Sequence, residues 1–286
     1  MSALSSNTDN LSKAFAAEIL KSDSEADLGR AALLMAKCEY PSLDIEFYLS
    51  HLDDIASAIN SKLPPNAALL TPLLIIEHIN EHIYEELAFQ GNKENYYDPR
   101  NSFLNDVIVR RLGIPITLSV FYIELARRLG LKIEGVAMPG HFLMKCHVEE
   151  QEIILDAFNQ GQQLDKTDCQ QLINNVYGSD VELKSSFFRP VTKKEILIRM
   201  LNNLKNIYLS SSDHPRALAT IERLLLLTPQ AINEIRDRGL VKYRLGKYSL
   251  AIKDLEFYLT YAPKSPETEV VRKSLQKIKA ELASLN

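Results

Sequence analysis

The sequence predicts an α+β domain, mostly helical around a small antiparallel sheet, followed by an all-α repeat region. Three observations carry that expectation. Apolar residues recur at three- and four-residue steps from about residue 11 to 93. The period drops to two between residues 132 and 158. The last third repeats itself at a fixed interval of 34 residues. At 46% hydrophobic and 24% charged, the 286 residues have an ordinary globular composition.

The bulk charge narrows the function classes. A net charge of −4 leaves no basic excess of the kind that nucleic-acid binding requires. The start has no basic region followed by an apolar run, and "ALLTPLLII" is too short to span a bilayer and is interrupted by Pro72. A cytoplasmic protein with no membrane partner is expected. Cys38, Cys146 and Cys169 are an odd number without CxxC spacing, which fits reduced thiols and neither a disulfide framework nor structural zinc.

Taken in order, "LGRAALLMAKCEY", "DIEFYLSHLDDIASAINSKL" and "TPLLIIEHINEHIYEELAF" read as helices divided by "PSLD" and "PPNA", with no strand signal among them. After the turn-rich "GNKENYYDPRNSF", a helix is expected from Phe103 to about Leu112, stopped by Gly113. "IPITLSVFYIELARRLG" places Pro115 at the first helical position and Gly130 at the end, both favoured there, and its nearly continuous apolar run makes it the buried central helix. "KIEGVAM", "HFLMKCHV" and "EIILDAF" are strands, the last two joined near "EEQ". In the second, Phe142, Met144, Cys146 and Val148 alternate with His141, Leu143, Lys145 and His147, so one face is core and His141 lies on the other.

In the last third, Pro229 and Pro263 are 34 residues apart, as are Ala217 and Ala251, Leu218 and Ile252, Ile221 and Leu255, and Leu225 and Leu259. That period with helix–turn–helix patterning is the tetratricopeptide signature, in which each helix pair needs a neighbour to cover its apolar face. Two repeats leave a flank open, so a final helix from about Pro266, with Ser265 as N-cap, is expected to close it. The boundary falls at Arg189-Pro190, giving domains 1–188 and 189–286.

"YYDPRNSFLNDVIVRRLGIPITLSVFYIELARRLGL", "VAMPGHFLMK" and "LDAFNQG" together resemble the SirB-type invasion-regulator family of bacteria, which joins a transglutaminase-like domain to tetratricopeptide repeats. The resemblance covers roughly residues 30 to 265, with Ala157 where relatives usually carry proline. It implies a papain-related core whose cysteine, histidine and aspartate form a triad, the cysteine at the N-terminus of a buried helix where the dipole and an imidazolium favour thiolate. The histidine and aspartate carry over onto His141 and Asp156. The cysteine position falls on Pro115, which has nothing to ionise.

The surviving pair can be tested for geometry. If the hairpin loop has an even number of residues, Leu143 opposes Asp156 and His141 lies diagonally from it on the same face, about 7–8 Å between backbones, a gap two side chains bridge. An odd loop separates them. For a replacement nucleophile, Cys146 points to the opposite, apolar face, while Ser119 lies one turn along the helix from Pro115 and Thr117 is in its first turn. Either hydroxyl would need a well-placed base; the plainer alternative is that both satisfy backbone groups inside a buried helix. Ser119 is kept as the candidate nucleophile.

Two further constellations complete the reading. "HINEH" matches the H-x-x-E-H zinc-protease pattern with His78, Glu81 and His82, but no second motif supplies a third ligand, and no metal or cofactor is expected. Tyr96, Tyr97, Asp98 and Asn101 in "NYYDPRNS" either line a site mouth or form a turn whose Asp and Asn bond their own backbone. Tyr97, Asp98, Asn101, Pro115 and Asn159 are the candidate binding residues. The expected function is non-catalytic binding of protein or peptide through a degenerate cleft and the repeat surface, a pseudoenzyme. The alternative is a hydrolase or acyl-transferase that uses His141 and Asp156 with another nucleophile or water.

Overall fold

Three helices of the N-terminal region begin where a side chain accepts from their free N–H groups. This is seen in a computed structural model that describes residues 11, 13–66, 70–149, 151–178 and 181–284. After a short helix α1 (13–19), Asp27 caps α2 (Leu28–Lys37), Asp44 caps α3 (Ile45–Asn60) and Thr71, followed by Pro72 at the first position, caps α4 (Pro72–Asn80). Beyond Asn80 the chain does not continue as the single α-helix expected; Glu81–Glu86 is a π-helix. The widened turn still buries His82, Ile83 and Tyr84, so the apolar spacing could not reveal it.

Two strands occur where none was expected. Gln90–Gly91 (β1) pairs in parallel with Leu112–Gly113 (β2), and two residues are too few to show a period of two. Helix α5 (Leu104–Arg110) therefore ends earlier than the Gly113 stop, at Arg111 in the left-handed conformation, φ 59°. Pro115 is the first residue of α6 (Pro115–Arg128), and Gly130, φ 77°, follows its C-cap. Every residue of α6 from Pro115 to Ala126 is buried. The carboxylate of Glu124, paired with Arg127 and Arg128, lies so close to α2 that a Cβ on Gly29 would stand 2.9 Å from it.

The sheet has five antiparallel strands rather than three, in the order β6-β5-β4-β3-β7: Ile133–Val136 (β3), Leu143–Val148 (β4), Gln151–Asp156 (β5), Gln162–Leu164 (β6) and Pro190–Val191 (β7). Val148 pairs with Gln151, the register that the even loop requires. The expectation of one core face on β4 is corrected, because Leu143, Met144, Lys145 and Cys146 are all buried. Helix α6 packs against β3 and β4, while Cys169 and Ile173 of α7 (Lys166–Tyr177) pack against Val136, Leu143 and Ile154. His141 also precedes β4 instead of lying within it.

The chain divides into two compact units, Met1–Met200 and Leu201–Asn286, the division falling inside α8 (Lys193–Ser210). In the second unit α9 (His214–Leu227), α10 (Ile232–Arg244), α11 (Tyr248–Tyr261) and α12 (Pro266–Ser284) follow the 34-residue period. Ala217 and Ala251, Ile221 and Leu255, and Leu224 and Tyr258 are buried at equivalent positions. Ser265 caps α12, its Oγ accepting from the Thr268 N–H at 3.2 Å. Among the described residues no helix is long and apolar enough to cross a membrane.

Candidate functional site

A Pro-Gly turn presents His141. Met138 O accepts from the His141 N–H at 3.2 Å, with Pro139 and Gly140 (φ 76°) as the central pair of a type II turn, whose third position needs a positive φ. That turn delivers the imidazole to Asp156, the last residue of β5. His141 Nε2 donates to Asp156 Oδ2 at 2.9 Å, since a carboxylate only accepts; in the neutral ring this leaves the lone pair on Nδ1.

Asp156 is wholly buried and caps the following 3-10 turn, Ala157–Asn159. Its Oδ1 accepts from the Phe158 N–H at 2.9 Å, and its Oδ2 also accepts from Asn159 Nδ2 at 2.8 Å. Burial pushes this carboxyl up, yet the bonds from His141, Asn159 and Phe158 hold it below the usual carboxylate value. The backbone then passes through Gln160 and Gly161 in the left-handed region, where a Cβ on Gly161 would strike the Asn80 side chain at 2.1 Å. Asn80 is held in turn by Tyr122, whose hydroxyl donates to Asn80 Oδ1 at 3.0 Å.

Phe158 packs beside the His141–Asp156 pair. Its ring meets His141 edge-on at 6.2 Å and Tyr96 at 6.1 Å, and it packs so closely on Gly91 that a Cβ there would come within 2.5 Å. Gly91 pairs with Gly113 just before the start of α6, so the short β1–β2 ladder ties the Phe158 contact to the central helix. Lys93 Nζ lies 5.8 Å from the Phe158 ring centre and donates to Asn159 Oδ1 at 3.2 Å. An open groove of about 830 Å³, lined by Gly91–Asp98, Arg100, Arg110 and Leu112, continues from Lys93 and Tyr96.

The other candidate residues separate clearly. Pro115 is buried at the first position of α6, and Ser119 Oγ donates to Pro115 O at 2.8 Å, the backbone bond of the plainer alternative. Thr117 Oγ1 has no partner among the described residues, unlike the expectation that both hydroxyls serve the backbone. Cys146 is buried and bonds weakly to His147 O at 3.8 Å; burial raises its thiol pKa and pushes that of Cys169 up to about 11. No thiol or hydroxyl among the described residues is hydrogen-bonded to His141.

Tyr97 is 77% exposed and meets Tyr96 edge-on. Asp98 accepts from the Arg100 N–H and pairs with Arg100 and Arg110, and its carboxyl is held low by them. Asn101 is fully buried, donating to Asn95 O and Tyr96 O and accepting from Asn92 and Arg110. Both side chains are therefore engaged within the turn, while Tyr97 and Asn159 stay near the cleft. In "HINEH", His78 bonds Leu74 O and His82 pairs with Glu86, and no three potential ligands among the described residues are placed to hold a metal.

Sequence reasoning missed Lys93, Phe158 and Arg199. Phe158 stands within the quoted "LDAFNQG", but Arg199 is 58 residues from His141 and carries no local signal. Its Nη2 donates to His141 O at 2.7 Å, and both terminal nitrogens donate to Met138 O at 3.3 Å, gripping the two ends of the Pro-Gly turn.

The chain matches two known protein families. Residues 46–202 match the transglutaminase-like superfamily, and residues 204–276 match a tetratricopeptide repeat. The chain is similar to a UPF0162 protein of Xylella fastidiosa (strain 9a5c), 36% identical over 253 residues that span 87% of this chain and 89% of that one. It is also similar to a UPF0162 protein of Vibrio cholerae, 30% identical over 66% of this chain and 70% of the relative. F-box only protein 21 of Homo sapiens is 33% identical over 141 residues, which span 46% of this chain and 22% of that protein. Tetratricopeptide repeats generally present extended surfaces for protein partners.

Proposed function

This chain belongs to the transglutaminase-like superfamily, and we propose that it is a member whose cleft binds a peptide or protein segment without cleaving it, acting together with the repeat unit as an interaction protein. One observation carries the reading: the first position of the central helix is a buried proline, and His141 Nδ1 has no nucleophile to activate among the described residues. Ser119 supports it, because its hydroxyl is committed to Pro115 O. The groove beside Tyr96 and the aromatic ring of Phe158 supply concave and apolar surface for a segment of chain. Leu250, Phe257 and Tyr261 stand exposed along one face of α11, as an interaction surface requires. The narrower SirB-type assignment rests on the motifs around His141 and Asp156 and belongs to the same proposal.

A second reading has its own observation. The bond from His141 Nε2 to Asp156 orients the ring as a general base needs, so an activated water could serve in place of a side-chain nucleophile. The two readings diverge in turnover. Amide and ester panels assayed across pH are expected to show no rate that depends on His141. A pH-dependent rate that collapses in His141→Ala establishes the hydrolytic reading and removes the binding one.

A further inference from the structure

We propose that the cleft beside His141 contains a carboxylate-binding subsite centred on Arg199, an inference that deepens, and rests on, the reading of the cleft as a peptide-binding one. The guanidinium is half-buried and faces the Phe142 ring at 5.5 Å. Its three hydrogen bonds all go to backbone carbonyls, those of Met138 and His141. One Nη1 hydrogen and the Nε hydrogen remain. Among the described residues no carboxylate pairs with it, in contrast to Arg110, which has Asp98, and Arg128, which has Asp53 and Glu124. A partly desolvated cation held by carbonyl dipoles and an aromatic face gains most from an anion arriving in the same environment.

The surroundings extend the same charge. Arg199 donates to the His141 carbonyl, the His141 ring meets Phe158, and Phe158 meets Tyr96. This run of contacts joins the guanidinium to the aromatic residues beside the groove. Lys93 sits over the same Phe158 ring and donates to Asn159, again with no carboxylate partner among the described residues. The cleft's buried carboxylate, Asp156, is already matched by His141, Asn159 and the Phe158 N–H. Two unpaired cations thus adjoin the same run of contacts in a chain of net charge −4, a field that selects an anionic group from the ligand. The shared chemistry is a carboxylate, supplied either by a peptide C-terminus or by an acidic side chain.

The test uses the full-length chain labelled with ¹⁵N, following the Arg199 Nε–H and His141 ring signals. Three probes are titrated: N-acetylglycine for a chain end, an N-acetylated and C-amidated glutamate for a side chain, and neutral N-acetylglycinamide. At least one carboxylate is expected to shift both signals saturably with an affinity about ten-fold above the neutral amide, the size of one charge-assisted hydrogen bond. Whichever acid does so identifies the source. In Arg199→Gln the preference is expected to vanish, while Lys93→Gln, altered at an exposed position, weakens it without abolishing it. Equal midpoints for acid and amide overturn the subsite and leave the peptide-binding reading standing. A preference that survives in Arg199→Gln, or no shift with any probe, also overturns it, and both are read independently of the turnover assay that tests the parent reading.

Discussion

Replacing Asp156 with Asn tests whether the His141 site is held by charge. Oδ2 accepts from both His141 Nε2 and Asn159 Nδ2, and Oδ1 accepts from the Phe158 N–H. The backbone donor cannot adapt, so the carboxamide oxygen must stay with Phe158 and its NH₂ must face His141 and Asn159. His141 can respond by moving its proton from Nε2 to Nδ1, and Asn159 by turning its own amide, which gives up the exposed bond from Lys93. All three charge-assisted bonds, that from the Phe158 N–H included, then become neutral ones, each losing about 1 kcal/mol, for a total of about 3 kcal/mol. For a chain of this size that lowers Tm by about 6–12 °C. The sign with pH follows from the depressed Asp156 carboxyl: its contribution is fully present above the unfolded value near about 3.9 and is lost as pH falls through the folded value. The gap between wild type and Asp156→Asn should therefore narrow below about pH 4. Calorimetry measures the shift, and long-range ¹H–¹⁵N spectra at pH 8 report the tautomer. A variant that melts with wild type and keeps the Nε2–H form refutes the reasoning.

Other expectations follow from individual contacts. Gly161→Ala places a Cβ 2.1 Å from Asn80 Oδ1 at φ 69°, so a loss of about 2–4 kcal/mol is expected in urea unfolding, and a loss under about 0.5 kcal/mol would contradict the described turn. Ser119→Ala removes a single bond to Pro115 O, costing about 1 kcal/mol or less, and a serine-directed fluorophosphonate probe should label neither wild type nor variant; labelling lost on Ser119→Ala would reverse the assignment of that hydroxyl. Cys146 and Cys169, buried and with raised pKa values, should resist a thiol reagent until the chain unfolds, whereas rapid native reaction at either would contradict their packing. In the second unit Lys205 joins Glu234 at 2.7 Å and Asp237 at 3.2 Å, all three largely buried; Asp237 also keeps Arg236, so Lys205→Ala should cost about 3 kcal/mol by leaving Glu234 unpaired, measured by thermal melting of the full chain.

The legible parts of the chain are those with long periodic signals. The 34-residue repeat identified the helices of the second unit because equivalent buried positions must recur in stacked helix pairs, as Ala217 and Ala251 do. Pro115 and Gly130 marked α6 because their backbone preferences act locally. The strands β1, β2, β6 and β7 were missed, each being two or three residues long, below the length at which alternation can be seen. Asp98 and Asn101 were ambiguous because the same polar residues serve a turn or a ligand, and only the positions of Arg100, Arg110 and Asn92 show them engaged within the chain.

By itself the sequence determined which residues could meet: Pro-Gly before His141, an aspartate at the end of the next strand, and a proline where the central helix begins. Those are properties of neighbouring backbone and of period-two geometry, written locally. Tertiary structure decided what surrounds the pair. It fixed the even register that joins His141 to Asp156, and it placed Phe158 on Gly91 and brought Arg199 across 58 residues to the turn carbonyls. Such contacts are set by the packing of distant elements, which leaves no periodic trace in the chain.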